Sequence, residues 1–153
     1  VMLADLDRFK AVNDQFGHAV GDHVLQIFAE TMMRSLRATD MSGRLGGEEF
    51  AFLMPGSNAS EGEHIAERIR LHFAEAARKI GGLAVNATAS IGVATASMPA
   101  DLADLIGAAD DALYRAKAAG RNRVAVVDVS ATAAEPPPAA SGVVVPIRAR
   151  SAA

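Results

Sequence analysis

The chain has 153 residues, half of them apolar and 22% charged, which is enough for one domain with a sizeable core. Its net charge of −3 provides no global basic field, which argues against binding a nucleic acid polymer through its phosphates; any nucleotide must be held locally. The lack of cysteine excludes a disulfide framework, thiolate catalysis and cysteine-ligated metals, and no apolar run approaches the ~18 residues of a membrane span.

Residues 1–4 form a short apolar run ending in Asp5-Leu6-Asp7, read as a buried strand whose end carries two carboxylates. A polar turn is expected over residues 13–18. From Asp22 onward, Val24, Leu25, Phe28, Met32 and Leu36 recur at helical spacing, predicting a helix of about four turns that ends near Ala38 or Thr39. Arg44-Leu45-Gly46-Gly47-Glu48-Glu49-Phe50 then places two glycines and two carboxylates at the turn of a β-hairpin, whose second strand is stopped by Pro55-Gly56. Ile65, Ile69 and Phe73 mark a second helix, broken by Gly81-Gly82. Ala89, Ile91 and Val93 alternate with Thr88, Ser90 and Gly92 as a strand. Leu102, Leu105, Ile106, Ala109, Leu113 and Ala116 define a third helix closed by Gly120, and residues 124–127 form the last strand.

Past that strand the composition shifts to Ala, Pro and Ser, with Glu135-Pro136-Pro137-Pro138, so residues 128–153 are expected to form a disordered tail. Strands interleaved with helices packing on one side suggest an α+β sandwich with the hairpin at the centre of an antiparallel-rich sheet. The chain opens at Val1 inside an apolar run, so upstream sequence is expected. This part is expected to be cytoplasmic, and any sensor or membrane anchor would be encoded upstream.

The hairpin is the most informative feature. Glycine lets a backbone come close to a ligand or take φ > 0, whereas adjacent glutamates in a turn repel each other unless a cation or a proton neutralises them. A polyphosphate with its divalent metal fits such a site. As isolated features, Asp5, Asp7, Glu48 and Glu49 would be ordinary solvated turn residues.

Taken in order, Asp5-Leu6-Asp7-Arg8-Phe9-Lys10, Asn13-Asp14, Gly17-His18, Gly21-Asp22, Gly46-Gly47-Glu48-Glu49-Phe50, Ala89-Ser90-Ile91-Gly92-Val93 and Ala109-Asp110 through Arg121-Asn122 resemble the GGDEF family, whose best-known members are diguanylate cyclases. The resemblance covers residues 1–127 and implies a palm-like α+β fold, an antiparallel-rich central sheet flanked by helices, similar to nucleotidyl cyclases and polymerases. Glu48 stands where the family name has aspartate, and the carboxylate is retained. The segment that usually precedes the first strand, with its Asp-x-Leu-Thr pattern, is not in this sequence.

The resemblance implies condensation of two GTP into cyclic di-GMP with loss of two pyrophosphates, across a homodimer. It implies Mg2+ (or Mn2+) held by Asp5, Glu48 and the Leu6 carbonyl, with Glu49 either completing a second metal site or deprotonating the hydroxyl. Guanine recognition falls to Asn13 and Asp22, since a carboxylate accepts from N1–H and N2–H2, a donor pair adenine lacks. Asn13 also suits a turn, and Asp22 the first turn or cap of a helix. Lys117, Arg121 and, more weakly, Lys10 would meet phosphates, with Gly46 and Gly47 giving the nucleotide room; alone, Lys117 would serve the helix dipole. Arg37-Ala38-Thr39-Asp40 sits where family members carry an Arg-x-x-Asp product-inhibition site, joined by Arg68, although a surface ion pair at i,i+3 would leave the same trace. The phenylalanines follow strand and helix periods and are read as core. Two other readings stand beside the cyclase: a non-catalytic module that binds GTP or cyclic di-GMP, and palm chemistry on another nucleotide, which Asn13 and Asp22 disfavour. An upstream sensor domain would supply the input signal.

Overall fold

The computed structural model describes residues 1–97 and 99–130. Strand β1 (Met2–Leu6) is buried along its whole length, as a central strand covered on both faces must be. Helix α1 (Phe9–Phe16) replaces the expected polar turn: Phe9 and Val12 share one face and are buried, and this apolar pair outweighs the turn-forming Asn13, Asp14 and Gln15. Gly17, at φ 86°, ends α1 and its N–H donates to the Asn13 carbonyl at 2.9 Å. Helix α2 (His18–Ser35) therefore starts four residues before Asp22. It also stops short of Ala38, because the hydroxyls of Thr31 and Ser35 bond back to the carbonyls of Ile27 and Thr31 (2.8 and 2.9 Å) and Leu36 turns extended.

The hairpin forms as expected, from β2 (Met41–Gly46) and β3 (Glu49–Leu53). Helix α3 (Ala59–Ala76) opens on a capping box in which Asn58 and Glu61 satisfy each other's backbone N–H groups. It ends before Gly81-Gly82. Those glycines, both at positive φ, instead make the turn of a small separate hairpin, β4 (Lys79–Ile80) with β5 (Leu83–Ala84). Strand β6 (Ala89–Thr95), helix α4 (Leu102–Ala118) and strand β7 (Val124–Asp128) complete the fold. The expected tail lies, from residue 131 onward, outside the described residues.

The main sheet runs β2-β3-β1-β6-β7, antiparallel except for the β6–β7 pair, so the fold is α+β with a mostly antiparallel sheet. Two expectations need correction. The hairpin lies at one edge, leaving β1 central, and the helices cover both faces. Even-numbered β1 residues Met2, Ala4 and Leu6 join the larger core with Phe28, Phe50, Phe52, Ile69 and Phe73 from β3, α2 and α3. Odd-numbered Leu3 joins Ala94, Ala109 and Leu113 beneath α4. The α4 crossover carries the parallel pair, as such a connection requires. Phe28 stacks at 4.7 Å on Phe50 and edge-on at 5.0 Å against Phe73, and five of the six phenylalanines are buried. Among the described residues no helix is long and apolar enough to cross a membrane.

Gly92 decides how close α4 comes to the sheet. A Cβ there would lie 2.1 Å from the Ala109 carbonyl oxygen and 2.3 Å from the Leu113 nitrogen, both rigid backbone atoms. Gly92→Ala is therefore expected to lower unfolding stability by about 3 kcal/mol or more in urea titration, beyond the usual overpacking cost because no flexible side chain can yield.

Candidate functional site

The odd-numbered face of β1 that meets α4 also carries Asp5, and Asp7 follows two residues on. Asp5 pairs in register with Glu49 of β3 and with Ser90 of β6, and the Leu6 N–H donates to the Glu48 carbonyl at 3.2 Å. The first strand's end and the glycine turn are thus adjacent, as the sequence reading requires. Carboxylates directly opposite across antiparallel strands repel, and this pair is stable only with positive charge nearby. Lys117, near the end of α4, provides it: its Nζ lies 2.8 Å from Asp5 Oδ2, with the side chains 31% and 12% exposed. Asp5 is therefore a carboxylate held against a cation with little water to help. Its hard oxygens, with those of half-buried Glu48 and exposed Glu49, suit Mg2+ or Mn2+. Among the described residues no ready-made group of three or more metal-ligating side chains occurs.

The turn itself is open. Added Cβ atoms at Gly46 or Gly47 would meet nothing within 4 Å, so packing does not require glycine at position 46, whereas Gly47 also needs its φ of 51°. The Arg44 guanidinium braces the turn by donating from Nε to the Gly47 carbonyl at 2.9 Å.

Asn13 lies on α1 and Asp22 on α2, on either side of Gly17. A Cβ on Gly21 would lie 1.9 Å from Asn13 Oδ1, so the absence of a side chain there is what gives the Asn13 amide its seat against α2. The capping role weighed for Asp22 does not hold: α2 starts at His18, its N-cap is Gly17 without a side-chain bond, and Asp22 lies in the second turn. Its exposed carboxylate instead lines a cavity of about 410 Å3 with Arg44 and Phe50. Lys10 is held at 3.1 Å by Asp14 on the exposed surface of α1.

Asp7 was legible as a strand-end acid but not as a hub. Its buried carboxylate accepts from Thr88 Oγ1 and Ser90 Oγ, each at 2.7 Å, and from the Asn122 N–H at 3.0 Å. The signal was the Asp-x-Asp spacing at a strand end, which leaves the second acid just past β1. Arg121 and Asn122 follow Gly120 with φ of 64° and 46°, costing ~1–2 kcal/mol for each non-glycine residue unless the surroundings hold them. With Arg8 and Asn86 they are the non-glycine residues at positive φ among those described, and all four line one polar cavity of about 390 Å3.

A second cluster lies away from Asp5, at the end of α2. The Arg37 N–H donates to Asp40 Oδ2 at 2.8 Å, while its guanidinium turns to Glu61 on α3, 3.6 Å away. Arg68 donates from Nη2 to the Ser35 carbonyl at 2.8 Å. The i,i+3 contact is therefore a backbone turn and not a side-chain ion pair, and Arg68 meets the chain at Ser35, two residues before Arg37.

A family model described as "Diguanylate cyclase, GGDEF domain" matches residues 1–123. The chain belongs to the GGDEF family. This GGDEF chain is 42% identical over 126 residues to the response regulator PleD of Caulobacter vibrioides, a match covering 80% of the chain but only 28% of PleD. It resembles the crystal structure of the GGDEF domain of DgcB from Caulobacter crescentus in complex with c-di-GMP (TM-score 0.76, 32% identity, covering 82% of this chain and 75% of that one). It also resembles the active GGEEF domain of a diguanylate cyclase from Vibrio cholerae (TM-score 0.72, 36% identity, covering 82% and 80%).

If Lys117 is the counter-ion of Asp5, Lys117→Met should cost about 1–2 kcal/mol in denaturant unfolding by leaving a poorly hydrated carboxylate unpaired. Adding Asp5→Asn should recover most of that loss, so the double variant should be more stable than Lys117→Met alone.

Proposed function

We propose that this GGDEF domain is a diguanylate cyclase that condenses two GTP into cyclic di-GMP. The observation that carries the reading is the meeting of Asp5, Glu49 and the Glu48 turn at one end of the sheet, with Lys117 standing on Asp5. The family match and the likeness to an active GGEEF domain support it.

Asp5 and Glu48, with the Leu6 carbonyl, would hold Mg2+ or Mn2+. When bound, such an ion lowers the pKa of a hydroxyl and neutralises phosphate charge. Asp22 accepts from guanine N1–H and N2–H2, and Asn13, seated by Gly21, completes the base edge. The open space over Gly46 and Gly47 admits the ribose and phosphates against bare backbone. Lys117, Arg121 and Lys10 meet the triphosphate; Lys117 is already beside Asp5, and Arg121 projects from the loop after α4. Glu49, opposite Asp5 in register, would take the proton from the 3′-hydroxyl or add a carboxylate to the cation site. In the reaction the 3′-oxygen forms a bond to the α-phosphorus of the other nucleotide as the bond to pyrophosphate breaks. One domain holds one nucleotide, so closing the ring takes two copies facing each other. Signal input would come from a sensor upstream on the full-length protein.

Arg37, Asp40 and Arg68 form the proposed product site, in which Arg37 exchanges Glu61 for guanine O6 and N7. Binding there would stop turnover from a distance.

Purified protein given GTP and Mg2+ should release cyclic di-GMP and pyrophosphate. Glu48→Ala and Asp5→Asn should each lower the rate by ~100-fold or more, and ATP should not substitute. No product from the wild type, together with tight cyclic di-GMP binding that Arg37→Ala abolishes, would instead establish a regulatory binding module. Gly21→Ala should raise KM for GTP by about tenfold, because the new methyl must displace the Asn13 amide, and with Phe9 Cζ 3.3 Å away a small loss of stability in urea titration should accompany it.

A further inference from the structure

We propose that Asp7 is a positioning residue that aims Arg121 at the nucleotide's phosphates by pinning the α4–β7 loop to the strand that carries Asp5. This rests on the reading that Arg121 meets those phosphates.

A carboxylate serving only the sheet would need only the donors at the start of β6 and just before it. Asp7 has both of them, Thr88 and Ser90, and its own N–H also donates to the Thr88 carbonyl at 2.8 Å. The third donor, the Asn122 N–H, comes from outside the sheet and 115 residues along the chain. It comes from a stretch that must be held in place: Gly120, Arg121 and Asn122 sit consecutively at φ of 117°, 64° and 46°. Asn122 is gripped a second time through its side chain, whose Oδ1 accepts from Arg70 Nη1 at 2.8 Å, and Arg70 is itself fixed by Glu67 at 2.8 Å. Arg121 has only backbone anchors of its own: its N–H donates to the Ala116 carbonyl at 3.1 Å, and its carbonyl accepts from Arg123 Nε at 3.2 Å. Among the described residues no group holds its guanidinium. The direction of that side chain is therefore set by the backbone of the loop, and the loop by Asp7 on the sheet side and Arg70 on the α3 side.

Asp7 is separated by its bonding from Asp5, two residues earlier. Asp7 is 8% exposed and spends three acceptor sites on the protein, whereas Asp5 has a lone lysine that a ligand can displace. One strand end thus fixes the spacing between the carboxylate that would hold the cation and the arginine that would hold the phosphates.

Calorimetric titration of the full chain with a non-hydrolysable GTP analogue and with GMP, in the presence of Mn2+, tests this. Asp7→Ala is expected to weaken the triphosphate analogue by about tenfold while GMP, which lacks the terminal phosphates, changes by less than about twofold. Arg121→Ala should show the same selectivity, and the double variant should lose no more than either single one. Asp7→Asn should recover affinity to within about threefold, since its oxygen can take the Thr88 and Asn122 donors while its amide donates to Ser90. Should Asp7→Ala not fold, Asp7→Ser carries the same expectation, because its hydroxyl can bond Thr88 or Ser90 but is too short to reach the loop. Equal losses for both ligands, additive losses in the double variant, or a loss of Mn2+ affinity would overturn the inference. If the wild type binds neither guanine nucleotide, the cyclase reading itself fails and the inference falls with it.

Discussion

Acids at the end of the central strand, Asp5 and Asp7, impose the main constraint on this domain. Asp5 is nearly buried, and a carboxylate taken out of water must be matched by charge or by donors. α4 supplies the match through Lys117, and the loop after it supplies Asn122 to Asp7. Both contacts need α4 to lie almost on the sheet, which Gly92 alone allows. The sequence Ser90-Ile91-Gly92 thus has three separate duties: a hydroxyl for Asp7, an apolar side chain for the opposite core, and bare backbone for α4.

Rigidity and openness are divided between neighbouring parts of the site. The β1 end is held by the sheet on both sides and by α4 above. The hairpin turn beside it is exposed, braced by Arg44 and empty above its glycines. A nucleotide entering there would find carboxylates already placed and bare backbone to lie against, so little would have to be ordered on binding. Asp22 and Arg121 are exposed and free of side-chain partners among the described residues.

The cluster at the end of α2 is built differently. Arg68 holds the carbonyl of Ser35, the last residue of the helix, and Arg37 shares Glu61 with the capping box of α3. Binding at this point would pull on two helix ends at once, a physical route by which occupancy there could reach the sheet edge.

Much of this was legible in the sequence, for reasons that can be named. Strands of alternating or continuous apolar residues, the Gly-Gly turn and the third helix follow from short-range periodicity, and the ordered motifs pointed to the family. Where local signals competed, tertiary packing decided: Phe9 and Val12 turned a polar stretch into α1, and Gly81-Gly82 made a hairpin rather than a helix stop. The hairpin's place at the sheet edge and the helices on both faces could not be read from periodicity, which is blind to strand order. The amino-acid sequence by itself determined which acids, glycines and cations the domain has. Only the folded chain decided that Lys117 sits on Asp5, that Gly21 seats Asn13, and that Asp7 ties down the loop bearing Arg121, because each of these contacts joins residues that the chain separates and the sheet register brings together.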